Sequence, residues 1–172
     1  DLAPEALLER PVLNNFDSLS EMGNDWGFII GVGSPSIKME LVSKALKSGF
    51  RPAPTFVHPS SLIQDAEIGM GGIICPNSTI TTNVKIGDFV TINLNVTIGH
   101  DSTVAQFSNL SPGCNISGRC QIGSGCDLGT GASLIPGVEI ADDSVIGAQC
   151  CVTRSIVEPG VFVGVPARKI SN

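Results

Sequence analysis

Ile92-Asn93-Leu94-Asn95-Val96-Thr97-Ile98-Gly99-His100-Asp101-Ser102-Thr103-Val104 returns to a branched aliphatic residue at every sixth position, and the spacing holds far to either side. From residue 62 to residue 152 one phase carries Leu62, Ile68, Ile74, Ile80, Ile86, Ile92, Ile98, Val104, Leu110, Ile116, Ile122, Leu128, Leu134, Ile140, Ile146 and Val152. With Leu, Ile and Val at roughly a quarter of the chain, chance would produce such a run less than about once in a hundred million trials, so this is a repeat and not a composition effect. A second register runs two residues ahead of the first and holds only small or β-branched side chains, among them Ser78, Val84, Val90, Val96, Ser102, Ser108, Cys114, Cys120, Cys126 and Cys150.

A period of six is neither helical nor a plain strand alternation. It fits three short strands per coil, with a turn after each and the coils stacked at about the 4.8 Å spacing of neighbouring strands. Residues two apart on a strand face the same side. Both registers therefore point inward, the aliphatic residue filling a corner of a narrow prism and the small one its wall. Gly69, Gly87, Gly99, Gly123, Gly129 and Gly147 directly follow the aliphatic residue, where the chain is expected to bend. Three hexads to a coil predict about five coils and a stack of roughly 24 Å. The fold class is mainly β, a parallel β-helix.

The flanks are patterned differently. Residues 1–25 show only a short amphipathic piece (Leu7, Leu8, Val12, Leu13) and a helical turn at 18–22. Residues 26–32 read as a buried strand, and Gly33-Ser34-Pro35 as a turn into a helix with proline at its start. Ile37, Leu41, Val42, Ala45 and Leu46 form the apolar face of that helix, and Gly49 ends it. A short strand at 55–57 among Pro52, Pro54 and Pro59 leads into the repeat. These pieces look like a small, partial α/β (Rossmann-like) unit, so the chain divides at residues 1–58 and 59–172. The tail at 161–169 is apolar and then basic, suited to covering the open end of the stack.

At 172 residues and formal net charge −6, the chain lacks the basic surface that nucleic-acid or anionic-membrane binding requires. No apolar run approaches the ~20 residues of a membrane span, and the N-terminus lacks the layout of a signal peptide. A soluble, cytoplasmic protein is the expectation. Of the six cysteines, Cys114, Cys120, Cys126 and Cys150 occupy the inward register, where cysteine serves as a compact hydrophobe, and no spacing is that of a zinc site. Reduced thiols agree with the cytoplasm, and no metal is expected.

There are two histidines. His100 lies two residues after Ile98, at a coil corner, beside Asp101. A carboxylate next to an exposed imidazole fixes the ring and favours its protonated form, which makes a general base. The bland reading is a solvated His-Asp pair on a turn. His58, before Pro59, reads as structural.

The segment from Asn93 to Asp101, with Ser111-Pro112-Gly113, Ile116-Ser117-Gly118 and the terminal Gly164-Val165-Pro166-Ala167, resembles the hexapeptide-repeat acyltransferases that acetylate nucleotide-linked amino sugars or sialic acids. The resemblance runs from about Trp26 to Ile170 and implies a left-handed β-helix. It further implies that His100 takes the proton from the acceptor amine or hydroxyl as that group attacks acetyl-CoA, with Asp101 orienting it. Coils of eighteen residues stack Gly118 on His100, where a backbone N–H can face the thioester oxygen. By resemblance, Asn93 borders the acetyl pocket, while Asn109, Thr130 and Ala148 line the acetyl-CoA groove with Arg168 and Lys169 near the CoA phosphates. Many relatives carry a second histidine where this chain has Asn109. Val32, Gly33 and Lys38 match the second half of the family's nucleotide site, and its first half precedes the point where this chain starts. The family packs as homotrimers with sites between neighbours. The expected function is acetyl-CoA-dependent acetyl transfer to a sugar. The alternatives are transfer to an amino acid or free sugar, or a non-catalytic β-helix that acts in assembly or binding. A zinc carbonic anhydrase on the same fold needs three histidines, more than this chain has.

Overall fold

The computed structural model describes residues 6–7, 10–11 and 26–171. Ala6–Leu7 and Arg10–Pro11 pair as a short antiparallel ribbon. The amphipathic positions Leu8, Val12 and Leu13 and the turn expected at 18–22 lie outside the described residues.

The rest of the molecule is dominated by a parallel β-solenoid. Its first face stacks Phe56–Val57, Ile73–Ile74, Thr91–Ile92, Asn109–Leu110, Asp127–Leu128, Val145–Ile146 and Val161–Val163. Thr91 pairs with Asn109 and Ile92 with Leu110, so successive coils are offset by eighteen residues. The second face stacks Thr97–Ile98, Asn115–Ile116, Ser133–Leu134 and Cys151–Val152, and the third Thr103–Val104, Gln121–Ile122 and Glu139–Ile140. The two longer strands, Leu62–Ile68 and Thr79–Ile86, run across both of these faces. The solenoid makes about six turns, not the five expected from the hexads. Phe56–Val57 and Val161–Val163 join the stack without belonging to the repeat. Strand pairing uses backbone groups that every residue but proline supplies in full, so it extends past the last core-forming hexad.

From Ile74 onward both registers face inward, whereas Leu62 is 55% exposed and Ile63 packs against the core in its place, ahead of a register shift between Asp65 and Ala66. Ile74, Ile80, Ile92, Leu110, Leu128 and Ile146 are fully buried, as are the small-register residues Cys114, Cys120, Cys126 and Ala132. Burying hydroxyls and thiols requires acceptors, and the coil geometry supplies a backbone carbonyl fifteen residues ahead. Ser108 Oγ donates to Gly123 O at 2.8 Å, Cys120 Sγ to Ile135 O at 3.3 Å and Cys126 Sγ to Ala141 O at 3.2 Å. Among the described residues the Ser144 hydroxyl is the one buried side-chain polar atom with no partner. Fifteen residues ahead of it stands Pro159, where the repeat has ended.

The bends are not made by the glycines that follow the aliphatic residue. The left-handed residue comes three positions after the aliphatic one, at Asn77, Asn83, Phe89, Asn95, Asp101 and Phe107, with φ between 54° and 64°. The glycines serve the stacking instead. A Cβ on Gly99 would lie 2.6 Å from Gly118 N, and one on Gly87 2.6 Å from Gln106 N, so the next coil occupies the space a side chain needs.

The helix Pro35–Lys47 has Pro35 in its first turn and Gly49, at φ +85°, just beyond its end. Its expected face is half right: Val42 and Ala45 are buried, whereas Ile37 and Leu46 are about half exposed. The strand expected over 26–32 is reduced to Gly27–Phe28, paired in parallel with Arg51–Pro52, and Trp26 and Ile29 are exposed. A two-stranded sheet has no central strand to bury, so the Rossmann-like reading is not carried by this unit. Its contact with the solenoid is aromatic and cationic. Phe28 stacks on Phe89 at 5.9 Å and Phe89 on Phe107 at 5.4 Å between ring centroids. Both solenoid rings stand on left-handed residues, which costs about 1–2 kcal/mol each for a side chain of this kind. Each stacked pair returns about 0.5–1.5 kcal/mol.

At the far end Arg168–Ser171 folds back antiparallel on Val161–Val163, and Phe162 and Ala167 pack against the core. Among the described residues no helix is long and apolar enough to cross a membrane.

Candidate active site

Each coil turns three corners, and the eighteen-residue offset stacks like positions into columns. The corner after the second face carries His100 and Asp101 on one coil and Gly118 and Arg119 on the next. Asp101 adopts φ +59°, and its backbone N–H donates to Thr82 O at 3.1 Å while Arg119 N–H donates to His100 O at 2.7 Å. The backbone is thereby fixed from both neighbouring coils.

Asp101 Oδ2 lies 2.7 Å from His100 Nδ1, and Asp101 Oδ1 accepts from Asn83 Nδ2 at 2.7 Å. The His100 bond, and then the Asn83 bond, hold the Asp101 carboxyl below the usual carboxylate range. An ionised carboxylate can only accept. His100 Nδ1 must therefore carry the hydrogen, which leaves the lone pair of a neutral imidazole on Nε2. Nε2 faces Gly118: a Cβ placed there would sit 2.6 Å from it and 2.9 Å from both Cδ2 and Cε1. The missing side chain makes room for the ring. The Gly118 backbone N–H has no acceptor among the described residues. The corner thus joins a basic nitrogen to an uncommitted donor. A hollow of about 260 Å³ on the second face runs up to it, lined by Thr79, Thr81, Thr97 and Asn115 with Gly99 and Ser117 at its edge.

The other expected site residues are distributed elsewhere. Asn93, Thr130 and Ala148 lie at the corner after the first face, where Thr130 O accepts from Gln149 N–H at 2.8 Å and both Thr130 and Ala148 are exposed. Asn93 is half-buried, with its side-chain oxygen accepting from Leu94 N–H at 2.8 Å. Arg168 and Lys169 border a cavity of about 270 Å³ at the C-terminal end, with Arg154 as a third cation. Asn109 is buried on the first face, donating to Asp127 Oδ1 at 2.8 Å, and lies next to Gly33, whose Cβ would come within 3.8 Å of Asn109 Oδ1. Val32 is half-buried and Gly33 exposed. Lys38 is 1% exposed and donates to Thr91 Oγ1 at 2.9 Å, Phe89 O at 3.0 Å and Phe107 O at 3.5 Å. Three bonds use all three hydrogens of an ammonium. Burial lowers its pKa to about 8, partly opposed by Asp127. One chain therefore brings together His100, Asp101 and Gly118, and separately Gly33 and Asn109, but not the two sets. His58 Nδ1 accepts from Ser60 N–H at 3.2 Å within its own turn. Sequence reading missed Asn83, whose signal is its place eighteen residues before Asp101.

Among the described residues no three His, Cys, Asp or Glu side chains gather as a metal site would. No protein-family model matches the chain. Solved structures do. A mutant of perosamine N-acetyltransferase from Caulobacter crescentus, in complex with CoA and GDP-perosamine, superposes with a TM-score of 0.90 at 27% identity, over 97% of this chain and 80% of that one. WeeI from Acinetobacter baumannii gives 0.90 at 26% identity, over 98% and 82%. The chain is an acyltransferase that resembles these hexapeptide-repeat enzymes. The acetyltransferase domain of PglB from Neisseria gonorrhoeae shares the fold of this acyltransferase, with a TM-score of 0.88 at 24% identity over 99% and 84%.

Proposed function

We propose that this acyltransferase moves an acetyl group from acetyl-CoA to an amino or hydroxyl group of a nucleotide-linked sugar, with His100 as general base. The observation that carries the reading is the His100 ring held by Asp101 through Nδ1, with Nε2 left free beside Gly118. As the acceptor nitrogen or oxygen forms its bond to the thioester carbon, His100 Nε2 takes the acceptor's proton. The Gly118 N–H faces the oxygen that becomes negative, a contact stronger in the transition state than before it. His100 then returns the proton to the departing CoA sulfur as the carbon–sulfur bond breaks. Asp101 stays ionised and balances the imidazolium.

Asn93 would border the acetyl pocket, and Asn109, Thr130 and Ala148 would line the acetyl-CoA groove, with Arg168 and Lys169 as phosphate partners at its far end. These residues and His100 occupy different parts of one chain. A homotrimer, in which one subunit's first corner faces the next subunit's second, would unite them. Val32 and Gly33 would border the acceptor, and Lys38, assigned with them by resemblance, would act by pinning the helix that follows their loop. The CoA and GDP-perosamine bound by the perosamine N-acetyltransferase support this choice of donor and acceptor class. An enzyme that draws on acetyl-CoA and keeps its thiols reduced belongs in the cytoplasm.

The test is release of CoA thiol from acetyl-CoA across nucleotide-linked amino sugars, sialic acids and simple amines. Turnover is expected with a nucleotide-linked amino sugar and is expected to vanish in His100→Ala, while acetyl-CoA binding and the sedimentation mass of a trimer persist. Transfer that survives in His100→Ala sinks the mechanism.

A further inference from the structure

The left-handed residue of each bend lies eighteen residues from its counterpart on the next coil, so corner columns bring side chains into register. In the catalytic corner that column reads Asn83, Asp101, Arg119 and Gly137, all with positive φ. Asn83 Nδ2 donates to Asp101 Oδ1 at 2.7 Å while Asp101 Oδ2 faces His100 Nδ1 at 2.7 Å. One carboxylate is gripped at both oxygens, from the coil below and from its own coil.

We infer that Asn83 is a positioning residue for the acetyl-transfer reaction, fixing the Asp101 carboxylate so that His100 keeps its hydrogen on Nδ1 and its lone pair on Nε2. The inference rests on the reading of His100 as the base. Both side chains of the His100–Asp101 pair are about half exposed, at 54% and 48%. Among the described residues no other side chain hydrogen-bonds this carboxylate: Arg119, the next residue of the column, acts on it by charge alone, which does not select one rotamer as a directional bond does. A carboxylate that turns away releases the imidazole, and a free neutral imidazole can carry its hydrogen on either nitrogen. The amide nitrogen of Asn83 removes that freedom. Asparagine also suits the site because it tolerates the left-handed conformation its bend demands, φ +54° at this residue. The same residue therefore satisfies the fold and the chemistry, which is why hexad patterning alone does not single it out.

The test uses two variants that respect the backbone. Asn83→Gly keeps a residue at ease at positive φ and deletes the amide. Asn83→Asp keeps the shape and sets a carboxylate against Asp101. The chain holds only two histidines, so imidazole nitrogen–hydrogen correlation spectra of the full chain contain two rings, and His58 serves as the internal reference. In the parent, His100 is expected as the Nδ1–H tautomer. Asn83→Gly should shift it toward Nε2–H and lower kcat about three- to tenfold, with KM for acetyl-CoA unchanged, a fraction of the 10²–10⁴ that a general base supplies. Asn83→Asp should do more of both, because repulsion replaces attraction. A purely structural role would lower the melting temperature and leave the tautomer alone. An unchanged His100 tautomer in the two folded variants overturns the inference. Persistence of transfer in His100→Ala overturns the base assignment instead, and the tautomer measurement still decides what Asn83 does.

Discussion

Gly118→Ala isolates the base from the oxyanion donor, because alanine keeps the backbone N–H and adds only a methyl group. The backbone at Gly118 is not left-handed, so alanine fits it without strain. The added Cβ would stand 2.6 Å from His100 Nε2 and 2.9 Å from Cδ2 and Cε1, against an ordinary contact near 3.5 Å. The ring must retreat by about 1 Å. It can do so cheaply, since it is half exposed and tied only to Asp101. A displacement of about 1 Å at a reacting group costs on the order of 100-fold in rate. The expected result is a fall in kcat of about 100-fold, with KM for acetyl-CoA within about twofold and the melting temperature within a few degrees, since surface-level changes lie within about 0.5 kcal/mol. Steady-state CoA-thiol release beside a thermal melt reads both. Activity within about threefold of the parent would refute the reasoning, because Nε2 would then not be the atom that receives the proton. A large loss of stability would refute it differently, by showing that the ring is held in place and cannot yield.

Gly99→Ala should do the reverse. Its Cβ would meet Gly118 N at 2.6 Å and Ser117 C at 2.7 Å, which are backbone atoms of the next coil and cannot swing aside; overpacking of this kind costs about 1–3 kcal/mol, read as a lower urea midpoint. Alkaline pH should loosen the prism. Burial pushes the Cys114 and Cys126 thiols up to about 11, so between pH 9 and 11 the unfolded chain holds fewer protons than the folded one and stability falls as pH rises. Replacing both with serine, which already fills this register at Ser102 and Ser108, should flatten the decline in urea melts at pH 8 and 10.5. Lys38, lowered to about 8, works in the opposite sense and cancels in the comparison of variant with parent. Lys38→Met should strip the partners from Phe89 O, Thr91 Oγ1 and Phe107 O and destabilise the docked helix by about 1–3 kcal/mol, seen as faster amide exchange over residues 35–47.

The solenoid was legible because its core is written twice over, in an aliphatic and a small register that never slip. Ile98 and Cys114 could be placed inside the prism from spacing alone, since inward direction follows from strand alternation and nothing longer-ranged. His100, Asp101 and Gly118 were legible for a related reason: once the coil is eighteen residues, a column is simple arithmetic. The glycines were seen but misread. Their sequence position resembles a bend, whereas what excludes a side chain at Gly99 is Gly118 on the following coil.

What the linear chain settled by itself was therefore local and periodic: parallel coils, which side chains fill them, and which polar residues share a corner. Tertiary structure alone decided the rest. The burial of Lys38 beneath Phe89 and Phe107, the seating of Asn109 against Gly33 and Asp127, and the added coil at Phe56–Val57 all depend on where an unrepeated segment docks. Docking is set by shape, ring stacking and the pairing of individual polar groups, none of which recurs along the chain, so no period announces it. Asn83 stands between the two cases. Its register was fixed by the repeat, but its bond to Asp101 depends on which way two short side chains turn, and that is decided only when the neighbouring coils are in place.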